Sequence, residues 1–569
     1  MQSVIATDAP SGPVRNPRIP PTDPDRFSPV ALLRAAPPRI WLITGLFGLL
    51  LAGWSVLVPQ YHAPDEPNHA DAIMRLEQGK GWPHPGHAFV LPDGVGAIAA
   101  SPLGAVKNRY VLFSGPIPRS EAVPRSQRPA WKDLGADQPP GGVQQIVQHP
   151  PLYYGIEAAV FRIVPGWGDS LRWDVTIGLM RLMTVLMVAP LPLLAWATAR
   201  RLTGDETAST VAALMPLAVP EICHIGSVVS NDSLTMTLGG LATLVIAYIL
   251  RGDLSKRTAA WLGVSVGLGL FTKTLAIVMV PMALAAFFLA WRRARRDEVA
   301  AAAAADGPAG SRVRVPLPQL AIASVLAVAT GAWWEIVSIV RYHTFQPTTP
   351  GFPPGRYLGH HWGALLHYLY EALPWRWWGT VGWFEVNIPF ELVVVASSVL
   401  IVLYALGVVR ADGWRRRTDL LVMLWPTAAL YAIVSGQAIS YFHRTYYVTG
   451  ISGRYLYAGV VGICVGMGAG CAKLPAVIAR WTPPALVLVA VAIQAEAAKL
   501  VARHFWQPVG GGVREIWGAM SAWAPWPPLA LQIVFVLIVA GVLAAFGLCL
   551  RLALAAPARG GNHRMSVIR

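Results

Sequence analysis

Residues 39–69 read RIWLITGLFGLLLAGWSVLVPQYHAPDEPNH. Positions 40–59 hold no charged side chain, and a helix of that length crosses the roughly 30 Å of bilayer hydrocarbon. The run follows Arg34 and Arg39 and is too long for the apolar core of a cleavable signal, so it reads as a start-transfer helix with a cytoplasmic N-terminus. Similar runs recur at 175–199, 207–228, 232–250, 316–340, 391–409, 419–436, 454–472, 481–500 and 528–552, and a longer one covers 258–291. At about 1.5 Å per residue that last run would reach about 50 Å as one helix. It is expected to break at Phe271-Thr272-Lys273-Thr274 into two arms of a hairpin.

Composition agrees with this reading. The 569 residues are 54% hydrophobic and only 13% charged, against about 25% charged in soluble domains, and mean hydropathy is +0.47. This excludes a cytosolic enzyme, a disulfide-stapled secreted module and a disordered chain. The four cysteines, Cys223, Cys464, Cys471 and Cys549, all lie in apolar runs and read as core thiols. The net charge of +16 is placed in cytoplasmic loops. Arg200 and Arg201, Arg251 to Arg257, Arg292 to Arg296, Arg415 to Arg417 and Arg551 onward all fall on one side of a twelve-crossing arrangement. Both termini are then cytoplasmic. The segments 60–174, 341–390, 437–453 and 501–527 face outward. Residues 151–165 are apolar but short, and read as a juxtamembrane or re-entrant helix. Residues 1–38 read as a disordered, proline-rich tail, 300–308 as a loose linker, and 553–569 as a cytoplasmic tail.

Charges misplaced in so apolar a chain mark candidate chemistry. Asp65 and Glu66 stand between Pro64 and Pro67 just outside the first span. Two adjacent carboxylates so pinned cannot face the same way, so one is free to act as a base or to ligate a divalent ion while the other makes a structural bond. The bland alternative is a helix-capping turn. His149 precedes Pro150-Pro151-Leu152-Tyr153-Tyr154, where a double proline opens an apolar helix and the tyrosines are either interface anchors or pocket walls. Asp232, in Ser230-Asn231-Asp232-Ser233, is a helix cap or a second acid. Lys273 costs about 2.5–3.5 kcal/mol to insert, and at a helix break it would present an ammonium to an anion such as phosphate. Arg454, in Gly453-Arg454-Tyr455-Leu456, suits bidentate phosphate recognition or lipid snorkelling. Trp383 and Glu385 lie in a tryptophan-rich stretch suited to an aromatic belt or a sugar-stacking wall.

In this order the motifs resemble the GT-C superfamily of membrane glycosyltransferases, which includes protein mannosyltransferases and the lipid A aminoarabinose transferase. An Asp-Glu follows the first span, and Pro-Pro-Leu-Tyr-Tyr opens a helix late in a long first external loop. Arg181-Leu182 begins the next span, an Asn-Asp follows two spans later, and a Thr-Lys breaks a helix. The Pro64 to His69 stretch, Trp378-Gly379-Thr380-Val381-Gly382-Trp383 and Gly453 to Leu456 look closer still to a bacterial membrane family known as domain of unknown function 2142. The resemblance covers roughly residues 40–460. It implies an all-α polytopic GT-C-like bundle of about 12 transmembrane helices, with a catalytic module at 39–460 and further spans at 461–552.

The resemblance also implies roles. Asp65 would deprotonate an acceptor hydroxyl for inverting attack on the anomeric carbon, with Glu66 as its catalytic neighbour. Lys273 and Arg454 would hold a polyprenyl phosphate. Asp232 matches a second acidic position, and His69, His149, Tyr153, Tyr154, Trp383, Glu385 and Tyr455 would line the substrate pocket. The expected protein is a bacterial inner-membrane transferase moving a sugar from a polyprenyl-phosphate donor to a glycan, lipid or protein on the outer face, with no nucleic-acid partner. No metal or other cofactor is assigned, although a divalent cation stays open. The rival is a transporter or flippase of a lipid-linked glycan, which would spread its charges along a path through the membrane.

Overall fold

The computed structural model describes residues 26–86, 88–106, 116–168, 170–304, 313–347, 355–448 and 451–555. In chain order, the helices that matter for the site are α1 (Pro29–Ala35), α2 (Pro38–Leu57), α3 (Glu66–Glu77), α4 (Leu152–Ile163), α5 (Trp173–Val188), α6 (Asn231–Leu250), α7 (Lys256–Leu270), α8 (Met279–Ala304) and α9 (Trp333–Tyr342). They continue with α10 (Trp362–Trp378), α11 (Phe390–Val409), α12 (Trp414–Thr445), α13 (Val460–Cys471), α14 (Thr482–Trp506), α15 (Val513–Trp523) and α16 (Pro528–Ala555). Among the described residues, strands form only two-residue ladders: β1 (Arg356–Tyr357) with β4 (Tyr447–Val448), and β2 (Thr380–Val381) with β3 (Val386–Asn387), both antiparallel. The protein is an all-α polytopic membrane protein.

Among the described residues, ten helical segments are long and apolar enough to cross a membrane: Pro38–Leu57, Trp173–Thr203, Asn231–Leu250, Thr274–Ala304, Leu317–Tyr342, Phe390–Val409, Trp414–Thr445, Gly453–Cys471, Thr482–Trp506 and Pro528–Ala555. Two shorter stretches also join the ends of the bundle. One is the broken helix from Glu206 to Ile225; the other is α7, which packs between α6 and the Leu317–Ala327 helix. Ion pairs and side-chain caps define one end. Arg293 binds the Leu250 carbonyl and Asp419, Gln319 binds the Leu254 carbonyl, and Lys473 pairs with Asp412. The opposite end gathers the turns after α2, before α6, after α7 and before α13.

The centre of the bundle is α13, buried along its whole length. Gly462, Gly466 and Gly470 repeat every four residues and so share one face. A Cβ at these positions would lie 2.0 Å from the Met423 carbonyl, 1.9 Å from the Tyr404 ring and 1.8 Å from the Leu403 carbonyl respectively. Only glycine lets α11 and α12 approach so closely, the packing that membrane helices use where burial of apolar surface gives no drive. All four cysteines are free and buried.

Two boundaries differ from expectation. Residues 27–38 are not a disordered tail. Phe27 is buried against Tyr248 and Trp261, its N–H bonds Asp253, and the Ser28 hydroxyl caps the N-terminus of α1. One anchoring aromatic and one cap outweigh the proline content; residues 1–25 lie outside the described chain. The alanines from 300 to 304 continue α8 because alanine is the strongest helix former, while 305–312 and the tail from 556 also lie outside it. At 12 residues, α4 spans about 18 Å, too short to cross.

Sidedness can be measured at exposed positions of the two ends. A single cysteine at Val509 should be labelled by a membrane-impermeant maleimide from outside the cell, and one at Val477 only after permeabilisation. The reverse pattern would invert the orientation.

Candidate functional site

The site starts from the turn between α2 and α3. Pro59, Pro64 and Pro67 limit its freedom, and Tyr61 and Asp65 adopt left-handed backbone angles (φ 69° and 61°). Non-glycine residues take that conformation only when the surroundings hold it. What holds it is Glu66. Its carboxylate is fully buried and accepts from Arg181 Nε at 2.7 Å and Nη2 at 2.6 Å, from the Tyr61 N–H at 2.8 Å and from the Val229 N–H at 3.1 Å. Arg181 spends its remaining donors on the carbonyls of Ser55, Val58 and Pro59, capping the C-terminus of α2. Glu66 was expected beside Asp65 as a catalytic group. Its geometry gives it the structural bond instead, because every lone pair facing the interior is already taken.

Asp65 faces the other way. Its side chain is 34% exposed, and Oδ2 lies 3.0 Å from Arg454 Nη2. Arg454 stands in the turn before α13, itself 5% exposed, and its Nε is 3.1 Å from Asp232 Oδ2. Asp232, in the first turn of α6, places Oδ1 2.5 Å from Lys273 Nζ. A continuous chain of alternating charge therefore runs Asp65, Arg454, Asp232, Lys273. Tyr455 lies beneath both cations, with Lys273 Nζ 4.6 Å and the Arg454 guanidinium carbon 5.5 Å from its ring centre. Arg454 Nη1 is buried with no hydrogen-bond partner among the described residues.

Lys273 reaches this place because the run at 258–291 breaks where expected. Residues 271–273 are extended or turn, and a short 3-10 segment, Thr274–Val278, precedes α8. The break is held from two sides: Asn231 Nδ2 donates to the Thr272 carbonyl, and the Leu152 N–H donates to the Phe271 carbonyl. Its free backbone groups are thus used by the starts of α6 and α4.

The aromatic candidates form a wall on α3 and α4. His69 Nδ1 is 2.8 Å from the Tyr154 hydroxyl and its ring stacks with that of His149 at 6.3 Å. Burial, then the nearby His149 and Arg454, push the His69 imidazole well below its ordinary pKa, and burial does the same for His149. Both rings are therefore neutral near pH 7. The Tyr153 hydroxyl is 2.7 Å from Thr184 and accepts from the Ser230 N–H, at the cap of α6. Trp383 and Glu385 lie against the turn that carries Asp65. The Trp383 indole donates to the Tyr61 carbonyl, and Glu385 lies 3.5 Å from His62. The two brace the Asp65 turn from the β2–β3 hairpin.

Three buried acids near the site were not singled out as site residues. Glu157 accepts from Thr184 behind Tyr153, and burial raises its carboxyl to about 8. Glu335 accepts from Thr274, next to Lys273. Glu221 accepts from the Thr380 N–H and lies 3.4 Å from His224. The first sits on the polar-looking side of a short helix, and the other two in spans where sequence shows a lone charge but not its partner. Among the described residues, no group of three or more His, Cys, Asp or Glu side chains is placed to hold a metal ion.

The Glu66 assignment predicts a split between neighbours. Glu66→Ala should destabilise by about 3–5 kcal/mol, as breaking a buried ion pair does, and should lower the thermal-unfolding midpoint of the purified protein. Asp65→Asn should unfold near the wild-type temperature. Equal midpoints for Glu66→Ala and wild type would contradict the structural role.

Comparison with known proteins follows the geometry. Among curated proteins none matches the chain. Among solved structures it is similar to ArnT from Cupriavidus metallidurans bound to undecaprenyl phosphate, with 15% identity, a TM-score of 0.43, and coverage of 90% of this chain and 75% of that one. The apo state of the same protein gives 15% identity, a TM-score of 0.41, and coverage of 90% and 76%. Residues 47–463 match the model of a family described as predicted membrane protein, DUF2142. The chain belongs to that DUF2142 family of membrane proteins.

Proposed function

We propose that the protein is an inverting GT-C-type glycosyltransferase of the bacterial inner membrane, moving a sugar from a polyprenyl-phosphate donor to an acceptor hydroxyl at the outer face. The observation that carries this reading is the chain of ion pairs that joins one partly exposed carboxylate, Asp65, through Arg454 and Asp232 to Lys273 at one end of the bundle. Asp65 takes the proton of the acceptor hydroxyl. The freed oxygen bonds to the anomeric carbon from the face opposite the phosphate. The carbon–oxygen bond to phosphate then breaks, and its electron pair leaves on the polyprenyl phosphate. Arg454 and Lys273 meet the charge that develops there, in a low-dielectric site where such stabilisation is strongest. Asp232, expected as a second acid, serves as the counter-ion that keeps both cations in place. His69 and His149, neutral beside Tyr154, line the pocket as hydrogen-bonding groups without adding charge.

Placement favours transfer over transport. Arg181, Glu221 and Glu335 all have their partners at the same end as Asp65, and the ion pairs of Asp412 and Asp419 lie at the opposite end. A carrier would need such groups in between.

The test is sugar transfer by the purified protein in vesicles, using a panel of polyprenyl-phosphate hexoses and pentoses with extracted envelope glycans and lipids as acceptors. Asp65→Asn should lower turnover by about 10²–10⁴-fold, the usual worth of a positioned base. Arg454→Gln and Lys273→Met should also lose turnover. Transfer unchanged in Asp65→Asn would remove it as the base. Movement of the donor across vesicles without transfer would establish the transporter instead.

A further inference from the structure

A second feature lies away from this site. A cavity of about 960 Å³ opens between α2, α14, α15 and α16, near the upper end of the 300–1,000 Å³ typical of ligand pockets. Helices α14, α15 and α16 all lie beyond residue 463, outside the family-matched region. The face of α14 turned to the cavity carries Ala490, Ala495, Ala498 and Ala502, where larger side chains would fill the space. Two polar groups deep in its wall are paired with each other. The Trp54 indole donates to Gln494 Oε1 at 2.9 Å, and Gln494 Nε2 donates to the Leu217 carbonyl at 2.9 Å. A cavity with predominantly apolar walls suits hydrocarbon better than water.

The cavity is built to persist. Its roof, α15, presents Ile516, Trp517 and Met520 downward. The carbonyls at the C-terminus of that helix, which have no partner within it, are taken by Arg125 and Arg128 of the first external loop: Ser521 and Ala524 by Arg125, and Ala522 and Trp523 by Arg128. Arg128 is in turn paired with buried Asp174. The mouth, at exposed Val491, Phe535 and Val539, is on spans that face the bilayer. Lys499, paired with Glu496 on its own helix, lines the cavity.

We infer that this cavity binds an acyl chain of a bilayer phospholipid, as a lipid site separate from the reaction centre. The occupant is a phospholipid and not the tail of a polyprenyl donor because none of the cavity's lining residues belongs to the turns carrying Lys273, Asp232 or Arg454, while its mouth faces the surrounding lipid.

The test reconstitutes the full-length protein in phosphatidylethanolamine and phosphatidylglycerol vesicles containing phosphatidylglycerol with a diazirine in one acyl chain. After illumination, adducts are mapped by peptide mass spectrometry. Adducts are expected on the Ala490 to Ala502 face of α14, and Ala490→Trp and, as an independent milder variant, Ala498→Leu should each lower them at least fivefold. Adducts on outward-facing Leu488 and Val536 should stay unchanged in both variants, which also reports that the helices are in place. Labelling confined to Leu488 and Val536 would overturn the inference. So would loss of the cavity adducts on adding a tenfold excess of polyprenyl phosphate, which would assign the cavity to the isoprenoid.

Discussion

The bonding of Arg181 to Glu66 is the constraint on which the candidate site depends. All five guanidinium N–H groups are used, two on the carboxylate and three on the carbonyls that end α2. The same carboxylate holds the backbone of Tyr61 and of Val229. One buried pair thus joins α2, the turn to α3, α5 and the approach to α6, four elements far apart in sequence. Burying two charges is expensive unless every remaining hydrogen-bonding position is met, and here each one is. The result is a turn rigid enough to hold Asp65 at a left-handed backbone angle with its carboxylate aimed outward.

The second level is electrostatic. Lys273 and Arg454 would repel one another, and each would be costly among apolar helices. Asp232 lies between them and forms an ion pair with each. Asp65 differs from the other acids of the centre in degree of exposure, and that difference separates a group able to meet a substrate from groups that position others. The tyrosine beneath both cations contributes a ring face and no competing charge.

Much of this was legible in the sequence because the chain is so poor in charge. Asp65, Asp232, Lys273 and Arg454 stood out against apolar runs, and they form one connected chain of ion pairs. The break at Lys273 was legible from length alone, since one helix could not fit the bilayer. The division of labour between Asp65 and Glu66 was only half legible: adjacency says that they diverge, not which one turns inward. That choice depends on Arg181, 115 residues away in sequence. The bracing role of Trp383 and Glu385 was hidden because their partners are the backbone of Tyr61 and the ring of His62, and backbone partners leave no trace in composition. The same reason hid the arginine clamps on the end of α15. The N-terminal tail misled because prolines dominated the reading while a single buried phenylalanine decided the outcome.

The charged groups meet at one end of the bundle: a locked turn presents a carboxylate, and a broken helix and the turn before α13 present cations. The most direct measurement is an experimental structure of the protein with a polyprenyl phosphate bound. The account predicts the phosphate within hydrogen-bond distance of Lys273 Nζ and Arg454 Nη1, with the Asp65 carboxylate facing the adjoining acceptor space. A phosphate seated at the opposite end, among Arg251, Arg416 and Lys473, would contradict it.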